Sequence, residues 1–355
     1  SNLLNGPGKL FLAYSPAKND IALYYSHDST LLAFLRGKET KEGEIHASGP
    51  LHDYYYSRHN IRYLLEELLH QYDFLAPEQI ADGKLNGRKV LFMPGVNAMS
   101  DKEVAAVKAF LEKGGTVVAD FLPGECDELG IKRAKNPFSG EKNLLVLGKI
   151  FDDKDPAQRR QIFDLLAKAG VKQILGNNDV ATVPGREAMH FVDGNMHVFA
   201  VLRNQTRSND SLEQTFRFPL KGHVYDLRSG KYLGETDTVR AKVPHGEASV
   251  WGVYPYAVKK VEIAAPSSVK GGTDLVADLS VAVSNGTPGK HVFHAELLPP
   301  DGKTPRFFLK RNLIGENGKT RLVFRLAEND PKGLWTLRVT DVMTGTTADR
   351  KFTLK

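Results

Sequence analysis

Lys89-Val-Leu-Phe-Met-Pro-Gly95, then Ser100-Asp-Lys-Glu-Val104, then Lys108-Ala-Phe-Leu-Glu-Lys-Gly-Gly-Thr-Val-Val-Ala-Asp120, is the stretch that decides the fold. The first segment is a short apolar run closed by Pro-Gly, as in a strand buried on both faces. Ser100 and Glu103 make a capping box, in which hydroxyl and carboxylate satisfy the orphan amides of a helix start. Val104, Val107, Phe110 and Leu111 give that helix one apolar stripe, and Gly114-Gly115 ends it. Thr116-Val-Val-Ala119 follows at once as a second buried strand and delivers Asp120 to its end. Strand, helix and strand of this kind predict an open, mostly parallel sheet covered on both faces.

The pattern extends outward. Ile21-Ala-Leu-Tyr-Tyr25 reads as a buried strand ending in the polar cluster Ser26-His27-Asp28-Ser29. Ile61, Leu64, Leu65, Leu68 and Leu69 fall on one helical stripe. Tyr72-Asp-Phe-Leu75 predicts another strand, with turn signals at Asp82-Gly83 and Asn86-Gly87. Asp155-Pro156 announces a helix that carries Ile162, Leu165 and Leu166 and stops at Gly170.

Past about residue 185 the period changes to two. Asp193-Gly194 lies between two β-rich runs, a strong hairpin signal, and Arg228-Ser-Gly-Lys231 marks another turn. From Val261 onward Leu275, Ala277, Leu279, Val281 and Val283 alternate strictly, with turns at Pro300-Asp-Gly302 and Asn317-Gly318. About seven strands in this span predict an immunoglobulin-like β-sandwich with Trp335 in its core. The expected division is an α/β domain over 8–185, a small antiparallel β-module over 186–258 and the sandwich over 259–355.

The 355 residues are 41% apolar and 25% charged, an ordinary globular composition with room for two or three domains. No stretch approaches the roughly 18 apolar residues of a membrane span. With Cys126 alone, no intramolecular disulfide forms. The whole formal charge of +6 falls in 259–355, with 16 Lys and Arg against 10 Asp and Glu; the preceding residues balance at 32 and 32. Those cations are spread along strands between apolar residues rather than gathered on one face, so neither nucleic acid nor a membrane is an expected partner. Ser1-Asn2-Leu3 opens without a charged and apolar leader, so either no signal peptide existed or it has been cut away, and the missing initiator Met suggests a processed or engineered end and a fragment of something longer.

A strand ending in Pro94, a capping-box helix, and Phe110 followed by Gly114-Gly115-Thr116 resemble the class I glutamine-amidotransferase-like fold. More narrowly they resemble the trimerisation domain behind the catalytic barrel of family 42 β-galactosidases and related glycoside hydrolases. Ile21-Ala-Leu-Tyr-Tyr-Ser26 is similar to the opening strand of that domain. Val224-Tyr-Asp-Leu-Arg-Ser-Gly-Lys-Tyr-Leu-Gly234, with His245-Gly-Glu-Ala-Ser249, resembles the small β-module that closes such chains. Together these matches cover roughly residues 10–256. Gly333-Leu-Trp-Thr-Leu-Arg-Val339 resembles immunoglobulin-like or macroglobulin-like accessory domains of extracellular bacterial proteins. The resemblance implies an open flavodoxin-like sheet, a homo-oligomer or a partnering catalytic barrel, carbohydrate as an external contact, and an extracellular or periplasmic location.

Active members of the amidotransferase-like fold place a nucleophilic cysteine at a strained elbow between strand and helix. The corresponding position after Asp120 carries Phe121 or Leu122. Cys126 follows among Glu125, Asp127 and Glu128, carboxylates that oppose a reactive thiolate. A glycosidase needs two carboxylates roughly 5–9 Å apart. The resembled family carries them on a β/α barrel of about 250 residues, for which these modules leave no room. His291 and His294 are an odd step apart on a strand, so their rings take opposite faces. No zinc, phosphate-loop or dinucleotide motif follows a strand, and no catalytic residue, metal or cofactor is assigned.

Open α/β sheets bind ligands beyond the carboxyl ends of their strands. Ser26, His27, Asp28, Ser29, Asn97, Asp120 and Glu125 fall at that rim as candidate ligand-binding residues. The same residue types cap helices and build turns. Tyr54-Tyr-Tyr56 with His52 and His59 is the densest aromatic cluster, suited to packing, an oligomer contact or sugar stacking. The expected function is the non-catalytic C-terminal part of a β-galactosidase-like glycoside hydrolase, serving packing, oligomerisation and carbohydrate contact. One alternative is a carbohydrate-binding or cell-surface interaction protein. The other is a hydrolase at the strand ends, with His27 and Asp28 as base and orienter and Ser26 or Ser29 as nucleophile.

Overall fold

The computed structural model describes residues 6–36, 49–176, 185–203, 212–302 and 305–355, so Ser1-Asn2-Leu3 lies outside the described residues. The chain begins with α1 (Pro7–Ala13) and the short β1 (Ser15–Pro16). There follow β2 (Ile21–Tyr24), α2 (His27–Arg36), α3 (Pro50–Glu67), β3 (Tyr72–Leu75), α4 (Pro77–Ala81) and β4 (Val90–Met93). Next come α5 (Asp101–Glu112), β5 (Thr116–Ala119), β6 (Leu144–Val146) and α6 (Pro156–Lys168).

Five of these strands form one parallel sheet in the order β3-β2-β4-β5-β6. Alternate residues of each strand enter different cores. Ala22, Tyr24, Leu91, Met93 and Val117 pack with Val104, Val107 and Phe110 of α5. Ile21, Leu23, Val90, Phe92 and Val118 pack with Ile61, Leu64 and Leu65 of α3 and with Ile162 and Leu166 of α6. With both faces covered, the central β2 and β4 are apolar and buried at every residue. The capping box at α5 forms as expected: the Ser100 amide donates to Glu103 Oε2 at 2.8 Å and the Glu103 amide to Ser100 Oγ at 3.4 Å. Glu103 also accepts from the Tyr24 hydroxyl, which ties the helix start to β2. Asp155 caps α6 by accepting from the amides of Ala157 and Gln158 at 2.8 and 3.3 Å.

The later strands are β7 (Arg186–Asp193), β8 (Met196–Arg203), β9 (Leu212–Asp226), β10 (Lys231–Val243) and β11 (Ala248–Tyr254). With β1 they make a six-stranded sheet in the order β1-β7-β8-β11-β9-β10. The chain ends in β12 (Val258–Ala264), β13 (Ser268–Val269), β14 (Asp274–Val283), β15 (His291–Leu298), β16 (Lys310–Gly315), β17 (Lys319–Arg325), β18 (Gly333–Asp341) and β19 (Thr347–Leu354). These form two sheets, β12-β14-β17 and β13-β19-β18-β15-β16. Leu275, Leu279, Phe293, Leu322, Trp335 and Phe352 share their core, with Trp335 only 1% exposed. The fold is thus mixed α/β, rich in sheet, with one parallel sheet and three largely antiparallel ones among the described residues.

Among the described residues the chain forms two compact units, one over 18–188 and the other over 6–17, 189–203 and 212–355. α1 and β1 fall in the second of these units. Leu10 and Tyr14, one helical turn apart, enter a core with Met196, Tyr254, Val292 and Val342, which the six-stranded sheet shares with the last strands. No helix among the described residues is long and apolar enough to cross a membrane.

Candidate functional site

Ser26, just past β2, caps α2: the Ser29 amide donates to Ser26 Oγ at 3.1 Å. The Ser26 carbonyl accepts from Thr30 Oγ1 at 2.8 Å and from the Tyr54 hydroxyl at 2.9 Å. Ser29 works across the sheet edge, where its Oγ accepts from the amides of Asn97 and Ala98, each at 2.9 Å. Those amides belong to the loop after β4 and need partners once buried. The seam between the ends of β2 and β4 is therefore closed by the hydroxyls of Ser26 and Ser29, which also bond each other at 2.8 Å.

Asp120, at the end of β5, is buried. Its carboxylate accepts from the Ser57 hydroxyl of α3 at 2.5 Å, from the Gly95 amide at 2.8 and 2.9 Å, and from the Phe121 amide at 2.8 Å. Burial raises its pKa above the usual carboxylate range, against the pull of the hydrogen bonds from Ser57, Gly95 and Phe121. With both oxygens occupied, Asp120 is a tie between β5, the β4 loop and α3 rather than a free base. Gly95 is required beside it: its φ is 62°, and a Cβ there would lie 2.5 Å from the Tyr54 ring.

A cavity of about 220 Å³ opens among these groups, with Ser29, Arg36, Asp53, Asn97, Asp120 and Phe121 in its lining. The structure thus brings Ser26, Ser29, Asn97 and Asp120 together. His27 is exposed on the first turn of α2. Asp28 is partly exposed, and burial raises its carboxyl against the smaller pull of His27. Glu125 pairs with Lys132 at 3.0 Å and with Arg36 at 3.9 Å, outside the lining. Arg36, Asp53 and Ser57 went unseen in the sequence, where they are single polar positions on helices and carry no local signal.

The expected surroundings of Cys126 need correction. The buried thiol faces the Arg36 guanidinium, with Nη2 at 3.0 Å from Sγ. The neighbouring carboxylates are drawn elsewhere: Glu125 to Lys132, and Asp127 to the amides of Leu129 and Ile131. After Asp120 the chain presents Phe121 and Leu122, both exposed.

In the aromatic cluster Tyr54 is buried while Tyr55 and Tyr56 are exposed. Tyr56 stacks near His52 and Tyr55 near His59, each pair with centroids 4.2 Å apart, and the Arg58 guanidinium lies 4.9 Å from the Tyr25 ring. His291 bonds Asp341 and Tyr256, while His294 bonds Asn312. No group of three or more metal-ligating side chains occurs among the described residues.

No family model and no curated protein matches the chain. Among solved structures, an apo exo-carrageenase GH42 from Bacteroides ovatus is 14% identical, covering 66% of this chain and 29% of its own, at a TM-score of 0.39. A β-glucosidase from Listeria innocua is 12% identical over 97% of this chain and 46% of its own, at a TM-score of 0.22. A Salmonella alpha-2-macroglobulin is 16% identical over 49% of this chain and 12% of its own, again at 0.22. The chain spans less than half the length of each, and likenesses this faint leave the reading to the chain's own residues.

Proposed function

We propose that this chain is a non-catalytic, oligomer-forming part of a glycoside-hydrolase-type protein, with the carboxyl edge of its parallel sheet as a protein-contact surface. One observation carries the reading. α2 exposes Phe34 and Leu35 at 65% and 77%, and the loop after β5 exposes Phe121, Leu129 and Ile131 at 50%, 80% and 62%. The Arg36 contacts to Cys126 and Glu125 hold α2 beside that loop, so these side chains belong to one region. Exposed apolar surface of this kind marks a contact site.

The strand order supports the finer fold reading. Counted along the chain, the parallel sheet runs second, first, third, fourth, fifth, the flavodoxin-like order. In that frame the elbow carries Phe121 and Leu122, which have no nucleophilic atom, and the hydroxyls of Ser26 and Ser29 are already committed to hydrogen bonds. No sheet among the described residues is the eight-stranded barrel on which a glycosidase carboxylate pair would stand. The last two sheets are read as an immunoglobulin-like sandwich, and modules are placed at 8–185, 186–258 and 259–355, the first trimmed by the residues that α1 contributes elsewhere. Carbohydrate is the external ligand and the bacterial exterior or periplasm the setting, as befits such accessory sandwiches. Size-exclusion chromatography with light scattering is the test: a mass that is a multiple of the chain mass is expected, and a strict monomer removes the oligomer reading.

A further inference from the structure

We infer that the cavity at the carboxyl edge of the parallel sheet is a binding site for one neutral pyranose ring. This rests on the carbohydrate part of the proposed reading and names the place where it acts. The position is favourable: Ser29 and Asn97 flank the ends of β2 and β4, where the strand order reverses direction, and that crevice is where open α/β sheets take ligands.

The lining selects the chemistry. At about 220 Å³ the cavity has room for a single sugar ring. Its walls are largely apolar, from Leu32, Ala33, Pro50 and Ile150, with Tyr54 and Phe121 also in the lining. Five polar side chains interrupt them; Ser29 and Asp120 are bonded within the chain, which leaves the Asn97 carboxamide, the Asp53 carboxylate and the Arg36 guanidinium to meet a ligand. The partly buried Asn97 carboxamide makes no hydrogen bond to any described residue, although its backbone amide and carbonyl are both used. A polar group in such a place gains from a ligand hydroxyl, which both donates and accepts as a carboxamide does. An anion is disfavoured, because Arg36 is already engaged with Cys126 and Glu125, and Asp53 and Asp120 add negative charge. A purely apolar ligand would strip water from Asn97, Asp53 and Arg36 without replacing it. Asp120, saturated by its own chain, does no chemistry on the sugar, so the site binds without turning over.

The experiment titrates the full chain with D-galactose and D-glucose, and with D-galacturonate and inorganic phosphate as anionic probes, by saturation-transfer NMR and calorimetry. Saturable binding of at least one neutral hexose is expected, with neither anion binding more tightly. Asn97→Ala and the more exposed Asp53→Ala each weaken it by roughly tenfold, the loss of one ligand hydrogen bond, while Phe307→Ala, distant in sequence and in the other unit, leaves it unchanged. Absence of saturable binding up to about 50 mM of either hexose, a weak regime on the affinity scale, overturns the proposal. So does hexose binding that Asn97→Ala and Asp53→Ala leave intact. Light scattering on the same samples reports the oligomer separately, so loss of one reading is distinguishable from loss of the other.

Discussion

The Ser57 hydroxyl of α3 donates to Asp120 Oδ2 at 2.5 Å and accepts the Phe151 amide at 3.1 Å. One serine thus joins a helix, the end of β5 and the segment before α6. Replacing Asp120 by Ala leaves that hydroxyl and the amides of Gly95 and Phe121 without their acceptor. Urea denaturation should show Asp120→Ala less stable by about 3 kcal/mol and Ser57→Ala by about 1–2 kcal/mol. A loss below about 0.5 kcal/mol for Asp120→Ala, the level of an ordinary surface change, would show that the carboxylate is not a structural tie.

Glu66 gives a pH signature. Its Oε1 accepts from the Tyr72 hydroxyl at 2.8 Å and lies 3.7 Å from Arg62, yet burial lifts the carboxyl from 4.5 to about 7. The folded state therefore holds a proton between these values that the unfolded chain releases. The group's contribution to stability is full below 4.5 and is lost as pH rises through about 7. Buried His70, lowered to about 4, works in the opposite sense by losing stability as pH falls, so the comparison must be made on a variant. Glu66→Gln should gain on wild type by about 1–2 kcal/mol more near pH 8 than near pH 4.5. Equal differences at the two pH values would refute this.

In the other unit a buried chain of polar contacts runs from Tyr256 through His291 to Asp341. The Tyr256 oxygen is 3.0 Å from His291 Nε2, His291 Nδ1 is 3.0 Å from Asp341 Oδ1, and Thr344 donates to Asp341 Oδ2 at 2.6 Å. Asp341→Ala should cost about 1–3 kcal/mol, because it leaves the buried His291 imidazole and the Thr344 hydroxyl without their acceptor. Tyr256→Phe should cost about 1–2 kcal/mol, and the double variant should show a coupling above about 0.5 kcal/mol. Additive losses would mean that the contacts act independently.

Cys126 is fully buried and faces a guanidinium. Ellman's reagent should label it in the native protein only as slowly as the chain opens, and at once in denaturant. Rapid native labelling would restore the thiol as a candidate nucleophile.

What the sequence made legible, and what it hid, follows from where each signal resides. β2, β4 and β5 are short apolar runs because both their faces are buried, and α5 and α6 carry their own caps at Ser100 and Asp155. The Asp193-Gly194 turn is local as well, with Gly194 at a φ of 58°. α2 was invisible because Ser29 is its buried residue and Leu31, Phe34 and Leu35 face outward, so no stripe points to a core. β6 was lost because it has only three residues and none of them is fully buried. At the rim, Ser26, Ser29, Asn97 and Asp120 were legible as polar residues that follow strands. Their actual partners were not, since Ser29 meets Asn97 across 68 positions and Ser57 meets Asp120 across 63. Such pairings exist only once the sheet has closed.

The most direct measurement of the central claim is light scattering on the wild-type chain beside Leu35→Glu and Ile131→Glu, two exposed positions whose replacement leaves the cores untouched. A contact surface at the carboxyl edge predicts an oligomer for the wild type and its dissociation to monomer in both variants, with melting temperature otherwise unchanged for the isolated chain. A wild-type monomer, or an oligomer that survives both charges, would contradict it.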